Sequence, residues 1–135
     1  MQQIVLTEFL GYIKGIEKPA ETLPIMWEKL GTEMVSHLDG LFCFVLSNKD
    51  TGETFAVRDR FGSRTLYYTD SAAHGFVCGN PLIDVIKRSG LERKINKDAV
   101  TSYLRYTFPH GRQTLFDGVM RLDSGSYLWR HDGRR

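Results

Sequence analysis

Leu41 to Leu46 is an unbroken apolar run, held between Asp39-Gly40 and Asn48-Lys49-Asp50-Thr51-Gly52. A short run bounded by turn residues suits a strand covered on both faces rather than one with a wet side. The second boundary is rich in residues that tolerate turn geometry, so Glu53 to Val57 reads as the returning strand of a hairpin. That strand runs into Arg58-Asp59-Arg60-Phe61-Gly62, and a third strand follows over Thr65 to Thr69 with Leu66, Tyr67 and Tyr68. Asp70 to Gly75 is a turn, Phe76-Val77-Cys78 reads as a fourth strand, and Ser126 to Arg130 as a last one.

Helical spacing appears elsewhere. Leu23, Met26, Trp27 and Leu30 share one stripe, which places a helix within Pro19 to Leu30. Pro24 is tolerated only near a first turn, which makes Thr22 the expected cap and Gly31 the stop. Thr32 then caps a shorter helix carrying Met34, Val35 and Leu38. Asn80 is expected to cap a helix with Pro81 at its first position, closed by Ser89-Gly90. Asn96 is expected to cap another over Lys97 to Thr107, with Val100, Tyr103 and Leu104 as its apolar face. Leu115 to Leu122 is a short apolar element. Met1 to Lys18 supports two readings: Ile4, Val5 and Leu6 suit a strand, while Leu6, Phe9, Leu10 and Ile13 fall at helical spacing behind Thr7 and Glu8. The helix is the preferred reading, although Gly11 and Gly15 weaken it. Strands and helices mixed in this order, with a hairpin, predict an α+β domain.

Composition narrows the function classes. The chain has 135 residues, enough for one ordinary domain. Eighteen basic and sixteen acidic residues give a net charge of +2, too even for the basic stripe that nucleic-acid binding requires. Arg130, Arg134 and Arg135 read as a solvated end, and residues 131–135 as a tail. Cys43 and Cys78, the two cysteines, make neither a disulfide framework nor a zinc site. Cys43 is expected to be a buried small hydrophobe, and this cysteine usage suits a reducing, cytoplasmic setting. No apolar stretch approaches the ~18 residues of a membrane span. His37, His74, His110 and His131 share no metal-ligand spacing.

Two blocks carry a family resemblance. Leu38-Asp39-Gly40-Leu41-Phe42-Cys43-Phe44, followed by Val57-Arg58-Asp59-Arg60-Phe61-Gly62-Ser63-Arg64-Thr65-Leu66-Tyr67-Tyr68, resemble the LDGMFAF and ARDRFGIKPLYY segments of class II glutamine amidotransferase domains. The similarity is strongest to the glutaminase half of glutamine-hydrolysing asparagine synthetases. Tyr103-Leu104-Arg105-Tyr106, Thr114-Leu115-Phe116-Asp117-Gly118-Val119 and Arg121-Leu122 through Tyr127-Leu128 resemble that domain's YLRF, TLFxGI and RLPPGHYL segments. The resemblance covers roughly residues 19–130, with 1–18 divergent. It implies an N-terminal-nucleophile fold, an αββα sandwich, incomplete at the N-terminus. In that family an N-terminal cysteine releases ammonia from glutamine, and a C-terminal synthetase domain uses ATP, with magnesium, to activate the acceptor.

The chain departs from that pattern where the chemistry lies. The nucleophile's own α-amine acts as base, so it must stand first, yet Gln2 follows Met1. Cys43 and Cys78 are interior, and Thr7 is the nearest hydroxyl that cleavage could expose. The family's amine-binding aspartate falls on Pro19, and its NGEIYN segment corresponds to Leu6 to Gly11, where only Glu8 matches. Losing oxyanion donors costs ~10²–10³ in rate. The expectation is therefore no catalytic residue, Glu8 as the one candidate substrate contact, and doubtful glutamine binding. Arg58, Asp59, Arg60, Gly62, Arg64, Tyr67 and Tyr68 are expected to be scaffold, with Arg58, Asp59 and Arg60 as an ion-pair network at the turn. No metal site is expected, and ATP and magnesium belong to a synthetase domain outside this chain. The partners expected are such a domain in trans or a second copy. The competing reading is a non-catalytic binding or regulatory module.

Overall fold

The computed structural model describes residues 2–131, so Arg134 and Arg135 lie outside the described residues. The fold is α+β with antiparallel sheets. It divides into two compact units, one built from the chain up to Arg64 together with the stretch from Ser124 onward, the other from Thr65–Asp123.

The first unit holds a four-stranded sheet in the order β1-β2-β3-β7. Its strands are β1 (Ile4–Ile13), β2 (Gly40–Asn48), β3 (Thr54–Arg58) and β7 (Tyr127–Arg130). The apolar run is β2, the central partner of both β1 and β3, which explains why it carries no polar alternation. Phe44 pairs with Val57 and Leu46 with Phe55, and these face Leu23, Trp27 and Met34 in one buried cluster. Trp27 stacks on Phe55 with centroids 5.4 Å apart. Such stacking adds about 0.5–1.5 kcal/mol to the area buried. Cys43, Val45 and Ala56 alternate onto the opposite face and are buried as well.

Residues 4–13 form a strand, not the preferred helix. A bulge lies between Leu6 and Glu8, so Leu6 pairs with Leu46 while Glu8 pairs with Val45. One inserted residue shifts the side-chain parity. Ile4 and Leu6, then Phe9 and Ile13, therefore reach the same cluster, and an interrupted period of two imitates a period of three to four. Gly11 adds a second reason: a Cβ there would collide with the carbonyl oxygen of Leu41, so this position admits the close approach of β2.

Helix α1 spans Pro19–Leu30 as expected, but Lys18 rather than Thr22 holds the cap position. Pro19 takes the first turn, where a missing N–H costs nothing, and Pro24 sits inside the helix. The expected Thr32-capped helix is a 3₁₀ segment, Gly31–His37, running directly on from α1.

The second unit holds β4 (Tyr67–Ser71), β5 (Gly75–Gly79) and β6 (Met120–Arg121) in the order β5-β4-β6. Helix α2 (Leu82–Ser89) buries Val85 and Ile86 with Val119, and Tyr67 and Val77 pack against them. Pro81, not Asn80, occupies its cap position, and the Asn80 amide instead donates to the Thr65 carbonyl at 2.6 Å. Helix α3 (Lys97–Tyr106) has the expected cap, with Asn96 Oδ1 accepting from the Ala99 N–H at 3.1 Å. Its expected apolar face is reversed: Ala99 is the buried residue, while Tyr103 and Leu104 are exposed. Leu115 to Leu122 is mostly turn, ending in β6.

Candidate functional site

The turn after β3 is the most polar buried feature of the first unit. Arg58, the last residue of β3, pairs with Cys43, and Asp59 then donates its N–H to the Phe42 carbonyl at 2.9 Å. The strand ends there, and the chain curls instead of continuing the strand's alternation. Arg58 and Asp59 are both buried and Arg60 is exposed. The Gly62 N–H closes the turn on the Asp59 carbonyl at 3.1 Å.

Side chains of this turn bind backbone. Arg58 donates from Nε to the Arg64 carbonyl at 2.7 Å and from Nη2 to the Gly62 carbonyl at 2.9 Å. Asp59 Oδ1 accepts from both the N–H and the hydroxyl of Ser63, each at 3.1 Å. Gly62 has φ of +63°, and a Cβ there would run into the Ser124 hydroxyl and stand 2.9 Å from Arg58 Nη2. Glycine is thus required by backbone and space together. Asp59 is 3% exposed, and its second oxygen, Oδ2, is buried without a hydrogen-bond partner.

Beside the turn lies a cleft of about 380 Å³. Asp59, Arg58 and Arg60 line it from the turn, Asp39 and Phe42 from the start of β2, and Leu38 from the end of the 3₁₀ segment.

The other candidate residues do not line this cleft. Thr7 is the bulge residue of β1, and its hydroxyl donates to the Val45 carbonyl at 3.2 Å. Glu8 pairs with Val45 on β2 and adds negative potential at Cys43. Burial pushes the Cys43 thiol up to about 11, and the nearby Arg58 guanidinium only partly opposes this. A thiol held that high is not a nucleophile near neutral pH. Cys78 is also buried. Tyr67 and Tyr68 lie on β4 in the second unit, where Tyr67 packs against the α2 cluster and Tyr68 faces Phe76 at 6.4 Å between centroids. Also in that unit, Arg112 binds Asp123 at 2.7 Å and hydrogen-bonds Tyr68, and both raise its pKa. Among the described residues no three His, Cys, Asp or Glu side chains gather as a metal site. No helix among them is long and apolar enough to cross a membrane. Sequence reading missed the unpartnered Asp59 oxygen, because only the curled backbone shows which carboxylate oxygen is used.

The family model of the glutamine amidotransferase domain matches residues 17–135, a span that includes β2, the turn and the second unit but not β1. The chain belongs to the glutamine amidotransferase domain family. It is 28% identical over 127 residues to asparagine synthetase [glutamine-hydrolyzing] 1 of Bacillus subtilis, covering 93% of this chain and 20% of that protein. It is 26% identical over 113 residues to asparagine synthetase [glutamine-hydrolyzing] 2 of the same organism, covering 80% and 15%. It is also 31% identical over 108 residues to amidase chry2 of Gibberella zeae, covering 80% and 15%. The chain thus spans about a fifth or less of the length of the curated relatives it matches. In this amidotransferase domain of asparagine synthetase type, the Arg58–Arg64 turn, with Arg58 and Asp59 buried, and apolar β2 are the parts of the resemblance with a visible structural task.

Proposed function

We propose that the described residues form the scaffold of an asparagine-synthetase-type glutaminase domain with the αββα N-terminal-nucleophile fold, and do not themselves hydrolyse glutamine. In the complete enzymes such a domain would supply ammonia from glutamine for amide formation. The burial of Cys43, its thiol raised to about 11, carries this reading. Thr7 supports it too, since its hydroxyl is spent on a strand carbonyl. Glu8 remains the one proposed substrate contact, and Arg58, Asp59, Arg60, Gly62, Arg64, Tyr67 and Tyr68 the proposed scaffold.

Incubating the purified chain with glutamine and measuring released ammonia tests this directly. No release above the blank is expected, and sustained release would sink the reading. Calorimetry is expected to show weak glutamine binding or none; micromolar affinity would contradict it.

A second reading, a module docking a synthetase-like partner in trans or another copy, draws on α3. Tyr103, Leu104 and Tyr106 on that helix, and Phe108 just beyond it, are exposed. ATP and magnesium would belong to that partner. Light scattering over a concentration series checks self-association, and a clean monomer throughout would count against the second copy.

A further inference from the structure

We propose that the free edge of β1 pairs antiparallel with the same edge of a second copy of this chain, over Glu8 to Tyr12 and about a two-fold axis at Leu10. The proposal rests on the second-copy reading above and gives that reading a surface other than α3. β1 is ten residues long and ends its sheet, with β2 its one strand partner among the described residues. The edge at the other end of the sheet, β7, has four residues. Folded proteins blunt a long edge with lysine, proline or brevity, because unpaired N–H and C=O groups invite another strand. β1 holds neither residue, and its one charge is Glu8.

The hydrogen bonds around β2 show which groups are on offer. The Lys14 N–H donates to the Asp39 carbonyl at 2.7 Å, continuing the β1–β2 register. Phe42, opposite Gly11, gives its carbonyl to the Asp59 N–H beyond β3 at 2.9 Å, away from β1. Antiparallel alternation then aims the backbone N–H and C=O groups of Phe9 and Gly11 away from β2. Two features bound this window. The bulge between Leu6 and Glu8 interrupts it on one side. On the other, Ile16 bridges Ile13 and donates its N–H to the Ile13 carbonyl at 3.1 Å. The stretch between, Glu8 to Tyr12, is centred on Leu10, so each of two copies fills the other's window.

Such an isologous pair sets Phe9 opposite Gly11 of the second copy and the reverse, each pair exchanging both backbone bonds. Phe9 covers the bare glycine, a device that suits sheet edges. On the other face Leu10 meets Leu10, and Glu8 meets Tyr12, which is 60% exposed in the single chain. Lys14, also exposed, continues that face and stands on the diagonal from Glu8 of the second copy. The axis therefore brings unlike charges together at both ends of the pair. This match in length, apolar positions and charge selects a second copy over an unrelated strand.

Sedimentation equilibrium of the full chain over a concentration series tests the pairing. The parent chain is expected to dimerise, and the Phe9 and Gly11 amides to exchange hydrogen more slowly as dimer accumulates. Leu10→Lys and Leu10→Glu each set like charges across the axis and are expected to weaken dimerisation at least tenfold. An equal mixture of the two is expected to restore it, because unlike charges then meet. Unfolding curves check that each variant is folded; Lys14→Glu, at an exposed position, is expected to weaken the dimer severalfold without touching the core. A monomer at every concentration would overturn the proposal and the second-copy reading together. A dimer kept by Leu10→Lys but lost by Leu104→Ser would overturn the proposal alone and leave that reading on α3. A mixture no better than either variant would overturn it too, as when the edge serves a strand of another protein. None of these bears on the glutaminase reading, whose readout is ammonia.

Discussion

The turn at Arg58–Arg64 and helix α3 invert the usual relation between residue type and position. In the turn, Arg58 and Asp59 are buried and bind backbone atoms. On α3, Tyr103 and Leu104 are exposed, Leu104 by 79%, while the small Ala99 is buried. Charged letters in a shared motif therefore need not mark chemistry; here they fix a curl of the chain. Apolar letters need not mark core; here they mark a surface. The reason is geometric. A tight turn leaves carbonyls and N–H groups without ladder partners, and a guanidinium or carboxylate can satisfy several at once.

The comparison predicts that the turn breaks most sharply at its glycine. Gly62→Ala should cost about 2–4 kcal/mol, from left-handed strain plus the clash with Ser124, measured by urea unfolding. Pairing it with Ser124→Gly should remove the Ser124 part of the clash and recover part of the loss, leaving about 1–2 kcal/mol of left-handed strain and the close approach of Arg58 Nη2. If Gly62→Ala alone were neutral, the turn would not be the rigid element described.

A smaller effect sharpens the buried side of the comparison through pH. The Cys43 thiol has an ordinary value of 9.0 and is pushed up to about 11 in the fold, by burial first, with Arg58 opposing. Below pH 9 both folded and unfolded chains keep the proton, and stability is fully present. Between the two values the unfolded chain ionises first, so stability falls as pH rises. A shift of this size corresponds to about 2–3 kcal/mol. Stability measured from pH 8 to 11 should fall more steeply in the parent chain than in Cys43→Ala. Equal slopes would show that the thiol is not held protonated.

Smaller again is Ser63→Ala. It removes the hydroxyl bond to Asp59 Oδ1 but leaves the Ser63 N–H bond in place. The expected loss is about 1 kcal/mol by chemical denaturation. A loss as large as that of Gly62→Ala would mean that the hydroxyl, rather than the backbone, organises the curl.

These elements also show what the chain discloses about itself. The hairpin, the Asn96 cap and the turn glycine were legible because each rests on a local preference: an apolar run, a side-chain oxygen at a helix start, a positive φ. Strand β1 was not, because its bulge offsets the apolar positions and its stability depends on pairing with β2, whose partners lie 27 to 44 residues along the chain. The cap of α1 is not legible either, because Pro24 suggests a first turn that Pro19 already holds. At the cleft, the sequence displays Asp59 among its neighbours. It cannot show that one oxygen is spent on Ser63 and the other on nothing.

The smallest expected effect is on α3, and it separates surface from core most cleanly. Leu104 is among the most exposed large apolar side chains described, so Leu104→Ser removes little buried area. Its stability cost should stay within about 0.5 kcal/mol, as for surface substitutions in general. Leucine favours helix slightly more than serine, so the sign should be weakly destabilising. If the exposed side chains of Tyr103, Leu104 and Tyr106 serve association, the same variant should weaken concentration-dependent self-assembly in light scattering while leaving the unfolding curve almost unmoved. A loss above 2 kcal/mol would instead place Leu104 inside a packed interface within the folded chain, and the contrast between α3 and the turn would collapse.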